Sequence, residues 1–178
     1  LDLDIAGCGK MKIITEDGKG YNKTTNRSGV GIGVGYRYHD TNETGNDNSL
    51  IDITITGSEN KAGKVMTVVG SENGTAIGTG KDVFDGVKMN INLSGGIINA
   101  SAGDNTAAIG VGASNLGAFD KGAINISNCE VTATGGSGIG AGKAFTDGSF
   151  TVNLTDCNVE SNAAHGAGLG FAADAIRS

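Results

Sequence analysis

The chain has 178 residues, including 32 glycines and no proline or tryptophan, and carries a formal net charge of −6 at pH 7. Collagen is excluded, because it needs a glycine at every third position together with proline, and no apolar run is long enough for us to expect membrane insertion. An acidic chain with scattered basic residues is a poor phosphate binder, so we expect no nucleic-acid partner. Short β-branched runs such as IDITIT and MNINLS can bury apolar surface, and the composition therefore predicts a folded domain.

The first repeated feature along the chain is a pair of aliphatic residues separated by one residue, which predicts a strand. The pair occurs at Leu3 and Ile5, Ile53 and Ile55, Ile91 and Leu93, Ile124 and Ile126, and Val152 and Leu154. Because side chains alternate across a strand, stacked copies would form an inward aliphatic ladder and an outward polar ladder. The inward ladder would contain Ile55, Leu93, Ile126 and Leu154, and the outward ladder Thr54, Asn92, Asn125 and Asn153.

Two further short segments follow the first strand in each copy and complete a repeating unit. The second segment is a β-like run that begins at Lys12, Val65, Ile97, Glu130 and Asn158. The third is an apolar-Gly-X-Gly signature at Ile32, Ile77, Ile109 and Ile139, with a degenerate copy at Leu169. The first and third segments share a period of about 30 residues, and turns rich in Gly, Asn and Asp separate the segments.

A unit of three short strands and three turns is typical of one coil of a parallel β-solenoid. One coil cannot bury its inward residues, but coils stacked at a spacing of about 4.8 Å can. An α-helical fold is disfavoured, because the aliphatic residues recur with a period of two and glycine is a poor helix former. The sequence therefore predicts an all-β parallel β-helix of about five coils in a single domain over 1–178. No targeting signal is readable at Leu1, and we expect the chain to be a fragment of a longer protein.

An insertion from Tyr36 to Ser49 interrupts the period and is the predicted ligand-binding site, because insertions in solenoids collect on one face and often carry function. Tyr36 or Tyr38 would supply a stacking surface for a sugar ring. The hydrogen-bonding groups for sugar hydroxyls would come from Arg37, Asp40 and Asn42.

The run that begins at Asp40 also resembles the opening of a calcium loop. However, Ile51 stands where such a loop requires a bidentate Glu, so we expect a solvated polar loop. No other pattern indicates a cofactor, and we expect none.

Catalysis is weakly supported by the residue pattern. Asp120 and Asp147 are the best candidates for a pair of carboxylates on adjacent coils, but both stand at turn corners, where Asp is common. His165 has no hydroxyl or thiol nucleophile at a recognisable motif. We therefore expect a binding role, with no catalytic residues.

Cys129 and Cys157 should occupy neighbouring coils, at a spacing of about 4.8 Å that a disulfide tolerates. A ladder position favours parallel side chains and therefore free thiols, with a disulfide as the alternative. The cysteine spacing does not fit a structural zinc site, so we expect no metal there.

Phe84, Phe119 and Phe145 follow the third segment and predict an aromatic ladder over the core, with a sugar-binding platform as the alternative.

The repeats INLSGGIINASAGDNTAAIGVG and INISNCEVTATGGSGIGAG resemble those of secreted and surface-anchored bacterial proteins, notably adhesin-like proteins of gut Firmicutes. The resemblance covers the chain from about Lys12 to Phe171 and implies a right-handed parallel β-helix in a secreted or cell-surface setting. Members of that broad superfamily include polysaccharide lyases and hydrolases as well as proteins that bind carbohydrate without cleaving it. We expect a non-catalytic stalk or adhesin-like module that binds a glycan or a host surface glycoprotein, joined to the rest of its parent chain. Polysaccharide cleavage and the binding of a host protein stay open as alternatives.

Overall fold

The computed structural model describes residues 1–6, 11–14, 29–35, 50–57, 65–80, 88–113, 121–143 and 149–172. These ranges form fifteen β-strands and contain no helix. The strands in chain order are β1 (Asp2–Ala6), β2 (Met11–Ile14), β3 (Ile32–Val34), β4 (Leu50–Thr56), β5 (Val65–Val69), β6 (Ile77–Thr79), β7 (Lys88–Ser94), β8 (Ile97–Ser101), β9 (Ala107–Val111), β10 (Lys121–Ser127), β11 (Glu130–Gly135), β12 (Ser137–Ala141), β13 (Ser149–Thr155), β14 (Asn158–Ala163) and β15 (Leu169–Phe171).

The strands enter three parallel sheets in strict rotation. Sheet 1 has the order β1-β4-β7-β10-β13, sheet 2 the order β2-β5-β8-β11-β14, and sheet 3 the order β3-β6-β9-β12-β15. Every three consecutive strands therefore add one strand to each sheet, and we call such a set a repeat, numbered 1 to 5. This all-β arrangement of stacked parallel strands is of the β-solenoid kind that the repeated segments predict.

The strand register matches the sequence alignment of the repeats. In sheet 1, Ile124 of β10 lies opposite Ile91 of β7 on one side and opposite Val152 of β13 on the other. Ile53, Ile91 and Ile124 are fully buried. On each of their strands, buried residues alternate with partly exposed ones. The alternation of inward aliphatic and outward polar side chains is therefore confirmed for repeats 2 to 4.

The last member of the predicted inward ladder is not buried. Leu154 lies in register with Ile126, but 40% of its surface is exposed, whereas Ile126 is buried. An inward side chain is covered by the repeats on both sides of it, and β13 pairs only with β10 among the described strands. The predicted register of Leu154 is therefore confirmed, and the side chain is exposed because no described strand pairs with the other edge of β13.

The glycine of the Ile-Gly-X-Gly signature forms a ladder along sheet 3, and its backbone geometry explains why no other residue fits. We call this set the glycine ladder: Gly33, Gly78, Gly110, Gly140 and Gly170. Their φ angles lie between +128° and +139°, a region that L-residues with a side chain rarely adopt. A Cβ on Gly110 would also collide with the carbonyl oxygen of Gly140 in the next repeat. The signature is thus a steric requirement of sheet 3.

None of the described residues belongs to a helix long and apolar enough to cross a membrane.

The buried ladder makes a direct test of the inward register possible. Replacing Ile124 by Asp should unfold the domain, because an unpaired carboxylate in an aliphatic core costs about 4 kcal/mol or more, a large share of the stability of a single domain. Circular dichroism with thermal melting measures the effect. Thr134→Asp is the matched control, since Thr134 is exposed on the outward side of β11. An Ile124→Asp protein that melts like the parent would contradict the register.

A second test compares two glycines of the glycine ladder. A substitution at one would cause both backbone strain and a steric clash, and a substitution at the other would cause backbone strain alone. Gly110→Ala should destabilise the fold by about 3 kcal/mol or more, because it combines a positive φ with a clash against Gly140. Gly170 has a similar φ, but an added Cβ would meet only Ala167 at an ordinary distance. Gly170→Ala should therefore cost only about 2 kcal/mol. Urea denaturation measures both values, and equal losses would show that the close approach of the two backbones adds nothing.

Candidate functional site

A regular polar ladder lies on the outward side of sheet 1. It consists of Thr54, Asn92, Asn125 and Asn153, one residue from each of repeats 2 to 5, and we call it the asparagine ladder. Asn125 donates from Nδ2 to Oδ1 of Asn92 at 2.8 Å, and Asn153 donates in the same way to Asn125 at 2.8 Å. Asn92 points its Nδ2 toward Oγ1 of Thr54 at 3.4 Å. The outward polar ladder predicted from the sequence is therefore confirmed.

The asparagine ladder forms because identical amides at the same register position can hydrogen-bond from one parallel strand to the next. Each amide group has two N–H donors and a carbonyl with two acceptor sites. The bonds along the ladder use one donor of Asn125 and one acceptor site of its carbonyl. The ladder therefore fixes the side chains in place and still leaves hydrogen-bonding capacity for a ligand.

A row of hydroxyl groups runs beside the asparagine ladder, two residues further along each strand. The row contains Thr56, Ser94, Ser127 and Thr155, which are in register with one another. Ser94 Oγ lies 3.5 Å from Oγ1 of Thr56, at the limit of a hydrogen bond. Sheet 1 thus presents two parallel rows of amide and hydroxyl groups, a surface suited to a ligand rich in hydroxyl groups.

The predicted binding residues Tyr36, Arg37, Tyr38, Asp40 and Asn42 all lie outside the described residues. The described strands on either side of them still define where their segment begins and ends. The chain leaves sheet 3 at the end of β3 and enters sheet 1 at the start of β4, so the insertion joins these two sheets.

The predicted aromatic ladder and the predicted carboxylate pair also lie outside the described residues. These positions are Phe84, Phe119, Phe145, Asp120 and Asp147. They belong to the connections that join β6 to β7, β9 to β10 and β12 to β13. Each of these connections runs from sheet 3 to sheet 1, as the insertion does. The candidate aromatic and acidic residues therefore all belong to connections between the same two sheets.

One contact between titratable residues was not predicted from the sequence. Nε2 of His165 lies 3.8 Å from Oδ2 of Asp104, and both side chains are 64% exposed. Asp104 follows β8 in repeat 3 and His165 follows β14 in repeat 5, so the contact passes over the intervening repeat. There the connection between β11 and β12 is the single residue Gly136, and a Cβ on it would collide with the carbonyl oxygen of Asp104. The sequence feature that goes with this contact is Gly136, which has no side chain to collide with the backbone of Asp104.

The contact between Asp104 and His165 is weak by itself, because exposed ion pairs are screened by water and salt. A neighbouring hydrogen bond from Asn105 Nδ2 to Glu72 Oε1, at 3.2 Å, adds to the polar character of the connections between sheets 2 and 3. Over the described ranges, no group of three His, Cys, Asp or Glu side chains is placed to hold a metal ion.

Cys129 and Cys157 follow the first strand of repeats 4 and 5, as predicted, and no disulfide joins them. Cys129 is buried, and its Sγ lies 3.9 Å from the carbonyl oxygen of Leu93. Cys157 is half-buried and packs against the core from the last repeat. The third cysteine, Cys8, lies outside the described residues.

Comparison of the chain with protein-family models, with curated proteins and with solved structures found no match. The class of the protein is therefore defined by its geometry. It is an all-β protein of three parallel five-stranded sheets, and sheet 1 carries a hydrogen-bonded row of amides beside a row of hydroxyl groups.

The free thiols can be counted directly. The denatured, unreduced protein should react with a thiol reagent at all three cysteines. In the native protein, Cys157 should react faster than Cys129, because thiol access falls with burial. Mass spectrometry of the labelled peptides assigns each site. A single reactive thiol after denaturation would instead reveal a disulfide between two of the three.

Proposed function

We propose that the chain is a non-catalytic binding module of a surface stalk or adhesin-like protein and that it recognises a glycan. The observation that carries the proposal is the pair of outward rows on sheet 1, the asparagine ladder and the hydroxyl row beside it. Sugar hydroxyls donate and accept hydrogen bonds at regular intervals. A surface whose amides are already fixed by their mutual hydrogen bonds loses little entropy when it binds such a ligand.

The insertion supplies the second part of the proposed site. Tyr36 or Tyr38 would stack on a sugar ring, while Arg37, Asp40 and Asn42 would bind its hydroxyls. The insertion enters sheet 1 at Leu50, four residues before Thr54, a distance of about 13 Å along a strand. An oligosaccharide of a few units could contact the insertion and the asparagine ladder together.

We propose the finer architecture on the same grounds. The chain is a right-handed parallel β-helix of about five coils of roughly 30 residues, in a single domain over 1–178 that is a piece of a longer protein. The rotation of the strands through three sheets supports this, since crossovers between parallel strands of one sheet are right-handed in nearly all proteins.

The proposed setting is a secreted or cell-surface bacterial protein, whose partners are a glycan or a host surface glycoprotein and the rest of its parent chain. Support comes from the resemblance of the repeats to those of adhesin-like proteins of gut bacteria. The proposal includes no cofactor, no nucleic-acid partner and no membrane insertion.

Polysaccharide cleavage by a lyase or hydrolase is the second candidate function, and the contact between Asp104 and His165 is the observation that favours it. A carboxylate close to an imidazole is a combination that acid–base catalysis uses. Incubation with polysaccharides, followed by detection of new reducing ends or unsaturated products, separates this function from binding alone.

Binding of a host protein is a further alternative. Retention of the chain by a host surface protein from which the glycans have been removed would reveal it.

The glycan proposal is tested by binding to a glycan array and by calorimetry with the best glycan. Changing Tyr36 and Tyr38 together to Ala, or deleting Thr41 to Asn48, should abolish binding with little change in melting temperature. The reason is that the insertion adds contacts to the ligand and lies outside the strands that build the core. Asn125→Ala should weaken binding of the same glycan, because it interrupts the asparagine ladder.

Thr132→Ala is the matched control for Asn125→Ala, since Thr132 occupies an outward position of sheet 2 in the same repeat. It should leave binding unchanged. Binding that survives the deletion would overturn the assignment of the insertion to the site. A chain that retains no glycan on the array would overturn the glycan proposal itself.

A further inference from the structure

Positive charge is concentrated on the outward side of sheet 1 in repeats 3 and 4, although the chain as a whole has a net charge of −6. Lys88 and Lys121 begin β7 and β10, are in register with each other and are both exposed. None of the outward positions of β7, β10 and β13 carries Asp or Glu. Sheet 2, in contrast, carries Glu130 and Glu160 on its outward side. In these repeats the asparagine ladder therefore lies on a face that has positive and no negative side chains.

We propose that the glycan bound by sheet 1 is an acidic oligosaccharide and that Lys88 and Lys121 bind its carboxylate or sulfate groups. This inference rests on the glycan-binding function proposed above and adds the chemical class of the glycan. The two lysines stand four residues before Asn92 and Asn125 of the asparagine ladder, about 13 Å along the strands. Because the lysine side chain is long and flexible, its ammonium group can bind an acidic substituent of a sugar whose hydroxyls contact the amides.

The register of the two lysines favours a bound anion. The strands β7 and β10 are parallel neighbours, so the Cα atoms of Lys88 and Lys121 are about 4.8 Å apart. Like charges at opposed positions of neighbouring strands destabilise a sheet. The same row contains Leu50 in β4 and Ser149 in β13, so the fold does not require a charged residue there. An anionic group between the two ammonium groups would bind both and relieve their repulsion.

The row next to the lysines leaves space for such a group at Ala123. This row consists of Asp52, Asn90, Ala123 and Thr151. Ala123 has the smallest side chain of the row, and its outward neighbours on β10 are Lys121 and Asn125. Asn90 and Thr151 lie beside it on the adjacent strands. Ammonium, amide and hydroxyl groups therefore surround this position, and all three can donate hydrogen bonds to an anionic oxygen.

Asp52 determines on which side of the face the acidic groups should lie. It is in register with Asn90, and its Oδ1 lies 3.4 Å from Nδ2 of Asn92. A carboxylate repels an anionic ligand, so the acidic groups should bind away from β4 and toward Lys121. We therefore expect Lys121 to contribute more to binding than Lys88, which is one strand closer to Asp52.

The balance of charged and neutral groups favours an oligosaccharide over a nucleic acid. A nucleic acid carries a phosphate at every unit, and proteins that bind it neutralise many phosphates with Lys and Arg. In repeats 3 to 5, sheet 1 offers two lysines beside rows of neutral amides and hydroxyls. That composition suits a ligand with few acidic groups and many hydroxyl groups.

Matched pairs of acidic and neutral oligosaccharides test the proposal. An array would carry fragments of hyaluronan and chondroitin sulfate together with the same fragments after reduction of the carboxyl groups, removal of the sulfate groups, or both. The parent chain should bind the acidic form of a pair about tenfold more tightly than the fully neutral form in calorimetry, and added salt should reduce this difference. The forms that lack only carboxylate or only sulfate identify which of the two groups is bound.

Substitution of the lysines assigns the preference to sheet 1. Lys121→Gln should weaken binding of the acidic form about fivefold, and Lys88→Gln somewhat less, with no change for the neutral form. Lys121→Arg should keep most of the affinity, because it keeps the charge. Lys143→Gln is the matched control, since it removes the same charge from an exposed residue that follows β12 in sheet 3. Circular dichroism should show that all four variants are folded.

Each outcome separates this inference from the glycan proposal on which it rests. Equal affinity of the parent chain for acidic and neutral forms overturns the inference and leaves glycan binding in place. A chain that retains no oligosaccharide of any kind overturns both. A preference for acidic forms that survives the loss of both Lys88 and Lys121 overturns the assignment to sheet 1. An oligonucleotide that binds as tightly as the acidic oligosaccharide also overturns the inference, because the face would then recognise charge alone.

Discussion

The close approach of successive backbones in sheet 3 is the constraint on which the rest of the structure depends. At the glycine ladder the chain adopts a positive φ directly beneath the carbonyl of the next repeat, and a side chain at any of the first four positions would force the strands apart. Because the three sheets share the same repeats, a shift in sheet 3 would also disturb the aliphatic ladders of sheet 1. The connections between strands differ in length from repeat to repeat, and those from sheet 2 to sheet 3 range from the single residue Gly136 to the seventeen residues between β2 and β3. The glycine position is nevertheless kept in all five repeats, so the register is set by the strands and not by the length of the connections.

Much of the fold could be predicted from the sequence, because stacking places equivalent residues together and the ladders leave a clear pattern. Similar residues recur at the positions of Ile124 and Asn125 and in the glycine signature of sheet 3. The sequence alone was therefore sufficient to predict their register. The exposure of Leu154 could not be predicted from the pattern alone, because a ladder residue is buried only when a repeat lies on each side of it. The proximity of Asp104 and His165 was missed, because it depends on repeats two apart and on the single-glycine connection between them. The insertion residues carry no repeated pattern, so the sequence could indicate their chemistry but not their positions.

The asparagine ladder has two physical roles that support each other. Its hydrogen bonds run in one direction, each amide donating to the preceding repeat, and bonds arranged in this way polarise one another. The same bonds hold the side chains in single orientations at the surface. A surface that is ordered before binding can discriminate between ligands by the spacing of their hydroxyl groups, which a flexible polar loop does less well. In the glycan-binding role that we propose, the ladder would provide the spacing of hydrogen-bonding groups and the insertion would provide the aromatic contact.

The parallel pairing of the strands also sets how far the molecule reaches. Five strands in a sheet span four spacings of about 4.8 Å, so the stack is only about 19 Å long although the chain has 178 residues. A single α-helix of 30 residues, the length of one repeat, would extend about 45 Å. Each repeat therefore adds very little height and a full turn of lateral surface. A stack of this kind therefore gains length only by adding repeats, and each added repeat widens all three lateral faces by one strand.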